Sequence, residues 1–414
     1  MNSITHNRNG RLFLFGFLYF VQGAMLAYVL VFNNLYLRAF GATAAQLSLL
    51  NGLLVVPFIL KIGIGLLSDR YGLQRKLPFF HHGHRVPYIA LGLLMINMGA
   101  FAAGFVPPVT MYPLFLVTAL FIAFGLAFYD TTADGLAIDV TPAKEYNLIQ
   151  GAMVIGRSCG VILLAAIYGR LINLFGWQII FWIITGLTLL PHLLLWRIRE
   201  PKQRAPTHAF DWDALRNLWR PQIGRLTLYA IIYSVSVYGA NAIVTLFTNE
   251  GLGGTLVQVG DVAALGSVGM LLGGITGTTL ARRLSIWQQG MITVMIVSVA
   301  LLLIAFTATL SNIVFIIVLW GFCLASAELV YVTLAMKTTD RRMGAGQFAI
   351  FMAISNVGTG IGQATTTGLI DTIEFHWIFA SLALLNLLAL PLLMAMRAND
   401  EPPVTAVSQL PISH

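Results

Sequence analysis

The sequence predicts an all-α membrane protein, twelve transmembrane helices in two six-helix pseudo-repeats, and three observations lead there. Hydrophobic residues make up 58% of the 414 and charged residues only 10%, where a soluble domain carries about 25% charged side chains. The apolar residues fall in twelve runs of about 20, the length that crosses the hydrocarbon of a bilayer. A polar stretch at residues 197–225, RIREPKQRAPTHAFDWDALRNLWRPQIGR, parts those runs into six and six.

Taken in order, the expected spans are 11–33, 45–67, 86–106, 112–138, 147–168 and 177–196, then 226–247, 257–280, 289–308, 312–336, 347–370 and 376–396. The first follows a basic start, but its apolar run continues past Val31 with no small-residue cleavage site, so it reads as a retained helix. The chain therefore divides into an N-terminal six-helix bundle (1–196), a cytoplasmic linker (197–225), a C-terminal six-helix bundle (226–397) and a cytoplasmic tail (398–414). Proline and charge mark the linker, and residues 212–219 suit a short interfacial helix. Cys159 and Cys323 both fall inside spans without metal-type spacing, and free thiols are expected.

A formal net charge of +8 would suit a nucleic-acid partner only if the basic residues shared a soluble face. They lie between apolar runs instead. Placing the N-terminus in the cytoplasm puts Arg70, Arg75, Lys76, Arg85, Lys144, the linker bases, Arg282, Arg283, Lys337, Arg341, Arg342 and Arg397 on that side, leaving only Arg38 and Arg170 facing out. This bias predicts cytoplasmic N- and C-termini.

The halves echo each other. Setting Asp130 on Glu328 places Ala137 on Ala335 and Asp139 on Lys337, and GLLSDRYGLQRK after the second span has a degraded counterpart, GTTLARRLSIWQ, after the eighth. Paired six-helix halves are an architecture that holds a site near the midplane between them.

Ionisable residues inside spans ask for a reason, because a central charge costs at least about 2.5–3.5 kcal/mol on the lenient insertion scale. Asp130 and Asp134, four apart, share a helix face, with Asp139 nearer the cytoplasmic end. At about 1.5 Å per residue, Lys61, Asp130, Asp134 and Arg157 occupy one slab, which suggests pairing of opposite charges. Asp130 or Asp134 is expected to take up a proton and release its partner base. Glu328 in the tenth span is the second-half candidate for coupling, and Asp139 with Arg70 is expected to act as a cytoplasmic gate, Asp69 lying beside them. Gln22, Tyr238, Asn241, Asn356 and Gln363, with Asn33, Asn34 and Tyr233 as softer companions, are candidates for substrate contact on the cavity-lining helices. The competing reading of each is an ordinary interhelical hydrogen bond. The small-residue spacings Gly156/Gly160 and Gly269/Gly273/Gly277 read as close helix packing, and His81, His82 and His84 as solvated loop histidines rather than metal ligands.

The loop at residues 65–76, Gly-x-x-x-Asp-Arg-x-Gly-x-x-Arg-Lys, resembles the signature of the major facilitator superfamily, in the position where that family carries it. The acid series, with Pro-Ala-Lys-Glu at 142–145, Arg157, Gly176, Trp177 and Trp182, resembles the superfamily's muropeptide-permease branch and its siderophore-permease relatives. The resemblance implies a proton-coupled carrier of the bacterial inner membrane, importing a medium-sized organic solute by alternating access. Leu136 and Ala137 stand where the muropeptide permease has Trp-Lys, and that branch has two additional helices. These departures put an iron-siderophore first among the expected substrates, with a muropeptide second. An outward-running drug or metabolite exporter and a membrane assembly factor are the rival classes. No nucleotide motif, cofactor or metal is expected; the partners are protons, solute and lipid, and the protein is taken as a monomer rather than an enzyme.

Overall fold

The computed structural model describes residues 4–71, 84–200, 221–280, 283–339 and 344–398. The side chain of Asp69, Gly72, His81, His82, most of the linker, Arg282, Arg341, Arg342 and the tail lie outside the described residues. The described residues form twelve long helical segments: α1 Arg8–Ala39, α2 Ala44–Ser68, α3 Val86–Ala103, α4 Tyr112–Val140, α5 Tyr146–Phe175, α6 Gln178–Leu195, α7 Pro221–Gly251, α8 Leu256–Leu280, α9 Ile286–Thr307, α10 Ile313–Thr338, α11 Gly344–Leu369 and α12 Phe375–Ala398. Eleven are long and apolar enough to cross a membrane. The exception is α11, whose Ser355, Asn356, Gln363 and Thr365 to Thr367 dilute its hydropathy. Several of those groups meet neighbouring helices: Ser355 bonds Ser234 of α7, Asn356 the Phe58 carbonyl of α2, and Thr366 donates to the Gly239 carbonyl.

Local sequence sets where the helices begin and bend. Asn7 accepts from the Gly10 amide at 2.6 Å, and Thr43 and Ser285 open α2 and α9 with capping boxes completed by Gln46 and Gln288. Pro57 has no N–H to offer the carbonyl four residues back, and α2 is broken at Val55 and again at Leu60, immediately before Lys61. Both α1 and α7 carry a π-turn, at Tyr28–Phe32 and Phe247–Gly251. Gly176, at φ +80°, ends α5 in a backbone conformation that favours glycine.

Two hydrophobic cores result. One is built almost wholly from α1 to α6, around Phe15, Phe32, Tyr36, Tyr129, Tyr168 and Phe181; the other from α7 to α12, around Tyr229, Tyr331, Phe351 and Phe379. The repeat is visible in the seams. Helix α1 packs on α5 as α7 packs on α11, both through glycines: a Cβ on Gly160 would meet the Phe20 carbonyl oxygen at 2.3 Å, and one on Gly362 the Val235 carbonyl oxygen at 2.6 Å. Gly269 and Gly273 of α8 do the same against α10.

Both described chain ends lie on one face of the bundle, here the terminal face. The two halves meet chiefly toward the other face. Arg38 of α1 forms a two-pronged pair with Glu250 of α7 (2.8 and 3.0 Å) and a third bond to Asp371 beyond α11 (2.9 Å). The second oxygen of Asp371 accepts the Ala44 amide that starts α2. Arg170 of α5 grips Asp261 of α8 with two bonds (2.6 and 3.0 Å). Below them α5 and α8 touch backbone to backbone at Gly169 and Gly260, and α2 lies on α11 from Ser48 and Gly368 down to Phe58, whose carbonyl accepts from Asn356.

The α1–α5 seam fixes the depth at which Arg157 stands beside α1, so it is open to a direct test. Gly160→Val is expected to force the helices apart, lowering stability in detergent by about 1–3 kcal/mol. Gly274→Val, at a glycine whose Cβ would meet nothing, is the control. Thermal unfolding of the two variants reads the difference.

Candidate functional site

Three helix faces converge on Asp130. It sits on α4, 7% exposed, with Ala133 and Tyr129 packed behind it. One carboxylate oxygen is bonded by the Lys61 ammonium of α2. The other accepts from the Gln22 amide of α1 and from Arg157 Nη2 of α5, the latter at 3.3 Å. Gln22 completes a ring, because its Oε1 accepts Arg157 Nε at 3.0 Å. A carboxylate buried among apolar helices keeps its charge only with this kind of support, two cations and a neutral donor on two oxygens. The break before Lys61 and the α1–α5 glycine seam are the local features that bring these groups together.

Asp134, one turn further along α4, is in a different environment. Its side chain is exposed although it lies more than a turn inside the helix. It accepts from the Tyr19 hydroxyl of α1, and no cation is bonded to it among the described residues. The Tyr19 ring also carries the Arg157 guanidinium, 4.8 Å from its centroid. Lys61 and Arg157 remain partly open, with side chains 30% and 43% exposed. Lys61, Asp134 and Arg157 therefore stay accessible while Asp130 is buried among them, and Arg157 faces Glu328 of the other half.

On the C-terminal side, Glu328 of α10 lies against the Tyr238 hydroxyl of α7 and faces Arg157 closely enough to attract it. Tyr238 and Tyr233 approach hydroxyl to hydroxyl at 3.5 Å, and Asn241 accepts from Trp320 Nε1 at 3.4 Å. Gln363 is half-buried on α11. Of the polar residues the sequence offers for substrate contact, Tyr238 thus stands against Glu328, while Asn241 is bonded to Trp320 more than two turns away on α10. Gln22 is occupied in holding the ion cluster, Asn356 ties α11 to α2, and Asn34 donates to the Ala242 carbonyl across the halves. Asn33 accepts from Tyr28.

The expected bond between Asp139 and Arg70 needs correction. Asp139 accepts from Arg85 Nε at 2.7 Å, whereas Arg70 is exposed beside the Tyr71 ring. Arg85 starts α3, where the Glu200 carboxylate also accepts the Arg85 and Val86 amides at 2.8 Å each. Gly135 leaves the guanidinium its room, since a Cβ there would stand 2.2 Å from Nη1. All of these belong to the N-terminal half, so the pair staples that half together and does not span the two. Among the described residues, the ion pairs that do span the halves are those of Arg38 and Arg170. The sequence carried a sign of them, since these were the two basic residues that broke the charge bias. Tyr19 was missed because a tyrosine in an apolar helix gives no signal of its own.

A family model described as Major Facilitator Superfamily matches residues 12–348. Among curated proteins, the anhydromuropeptide permease of Escherichia coli (strain K12) is 26% identical over 304 residues. The match takes in 70% of this chain and 60% of that protein's own length. Among solved structures, a mutant of the nucleoside transporter NupG superposes with a TM-score of 0.80 at 12% identity, covering 93% of this chain and 99% of that one. A bacterial homolog of the human lysosomal transporter Spinster, inward-facing and occupied, gives a TM-score of 0.67 at 15% identity, covering 94% and 95%. These structural likenesses bear on the fold.

If Asp130 is the counter-ion of two bases, removing it does more damage than removing one base. Asp130→Asn is expected to lower the unfolding midpoint further than Lys61→Met, and the double variant to recover part of the loss. A coupling of about 1–3 kcal/mol in that cycle is the expected outcome, and strict additivity would refute it.

Proposed function

The chain belongs to the Major Facilitator Superfamily, and on that premise we propose that it is a proton-coupled importer of a medium-sized organic solute, working by alternating access in a bacterial inner membrane. The observation that carries the reading is the unequal treatment of two acids one turn apart. Asp130 is fixed by Lys61, Arg157 and Gln22, while Asp134 is exposed and bonded by a neutral tyrosine. An acid that exchanges protons needs access and no permanent cation, and Asp134 has both properties. Asp130 then serves as the fixed charge that keeps Lys61 and Arg157 in place.

The charge bias of the loops supports cytoplasmic termini. In that orientation the terminal face is cytoplasmic, and the arrangement described above is the cytoplasm-facing one, with the outer face closed by Arg38, Glu250, Asp371, Arg170 and Asp261. Rocking to the outward-facing arrangement must break those pairs. Glu328 and Tyr238 supply the opposing wall of the binding space.

For the solute, the curated relative favours a cell-wall fragment of the anhydromuropeptide kind. This reverses the order of substrates that Leu136, Ala137 and chain length suggested, in which an iron-siderophore came first. A deletion strain examined for cell-wall recycling and for growth on single iron chelates separates these two solutes.

Two substitutions test the mechanism. In proteoliposomes, Asp134→Asn is expected to retain solute counterflow and to lose accumulation driven by a pH gradient; normal accumulation would count decisively against it. Arg38→Gln is expected to favour the outward-open form. In a chain carrying Cys159→Ser and Ala165→Cys, that change should raise labelling by an impermeant maleimide several-fold, and an unchanged rate would dismiss Arg38 as a latch.

A further inference from the structure

We propose that the solute is an anion whose carboxylate is received by Arg157, and that proton and solute bind together because the site holds more acids than bases. The inference rests on the proton-coupled reading and adds to it the charge of the substrate.

Two bases, Lys61 and Arg157, face three acids, Asp130, Asp134 and Glu328. Around Asp134 stand Tyr19 from α1, Lys61 from α2, Asp130 on its own helix and Arg157 from α5. With Asp134 ionised, the N-terminal wall carries two positive and two negative charges and offers an anion nothing. Counting Glu328, the ionised site carries one negative charge in excess; once Asp134 is protonated, two bases face two carboxylates and that excess is gone. A carboxylate then enters a site relieved of its negative excess, and by linkage proton and anion raise each other's affinity by the same factor.

The positive edge that meets the anion has a definite place. The Lys61 ammonium is held on Asp130 and lies 5.7 Å from the Phe58 ring centroid. Arg157 uses Nε on Gln22 and Nη2 on Asp130 and rests one face on Tyr19, while its Nη1 is in no hydrogen bond among the described residues. A guanidinium with a free edge and a fixed plane is suited to a carboxylate. Glu328, with the Tyr238 hydroxyl against it, stands across the gap. Its charge directs a solute carboxylate away from α10 and toward the Arg157 edge.

The test uses full-length protein in nanodiscs and two acid–amide pairs as probes: N-acetylmuramic acid with its carboxamide, and N-acetylalanine with its amide. Isothermal titration in mildly acidic buffer is expected to show each acid binding about tenfold more tightly than its amide, the scale of one charge-assisted hydrogen bond. The preference should shrink in mildly alkaline buffer. Arg157→Gln should abolish it and Arg157→Lys restore part of it, while Asp134→Asn should keep the preference and lose its pH dependence. Equal binding of acid and amide, survival of the preference in Arg157→Gln, a preference insensitive to pH, or binding of neither acid would each overturn the inference. The readings beneath it are scored apart. N-acetylalanine binding as tightly as N-acetylmuramic acid, with the acid preference intact, removes the cell-wall assignment alone. Absence of pH-driven accumulation alongside a pH-dependent acid preference removes the transport assignment alone.

Discussion

The charge on Asp130 is the constraint on which the rest of the site depends. A carboxylate in that position is tolerable only if cations and donors reach it from several helices, and each of those helices is shaped to comply. The break in α2 brings Lys61 to one oxygen. The glycine seam between α1 and α5 brings Gln22 and Arg157 to the other. Asp134 inherits its freedom from this arrangement, because the bases that could have neutralised it are already engaged one turn away.

The same logic separates rigid from movable parts of the molecule. Ion pairs inside one half, such as Arg85 with Asp139 and Arg11 with Glu145, join elements that travel together. Pairs between halves, at Arg38 and Arg170, join elements that would part in the proposed rocking. Those two pairs inside the N-terminal half are buried, with side-chain exposures of 7–16%, and the pairs at Arg38 and Arg170 are more open, at 25–51%. A contact that must be made and broken repeatedly is better placed where water can take over its hydrogen bonds, since a desolvated pair is far harder to open.

Much of this was legible in the sequence. Span length and hydropathy gave the helices, and the slab estimate grouped Lys61, Asp130, Asp134 and Arg157, because an ion in an apolar helix is conspicuous wherever it falls. The partner of Asp139 was not legible. Arg70 and Arg85 both lie near the same end of the bundle, and the choice between them depends on Gly135 opening space for one guanidinium, a three-dimensional fact. Nor was the role of Gln22: a glutamine in a span reads equally as ligand contact or as internal glue, and only its two neighbours decide. The polar face of α11 illustrates the reverse case, where weak hydropathy in a spanning-length helix reflects packing against α7 and α2.

The outer-face pairs have one more consequence. Because Arg38 and Arg170 stand at an aqueous surface, their attraction to Glu250, Asp371 and Asp261 is subject to dissolved ions, whose screening length is about 8 Å at physiological ionic strength. The Asp130 carboxylate, buried among its partners, is far less subject to that influence. On the proposed alternating-access reading, the balance between the two arrangements of the halves would answer to salinity on one side of the membrane, a variable separate from pH.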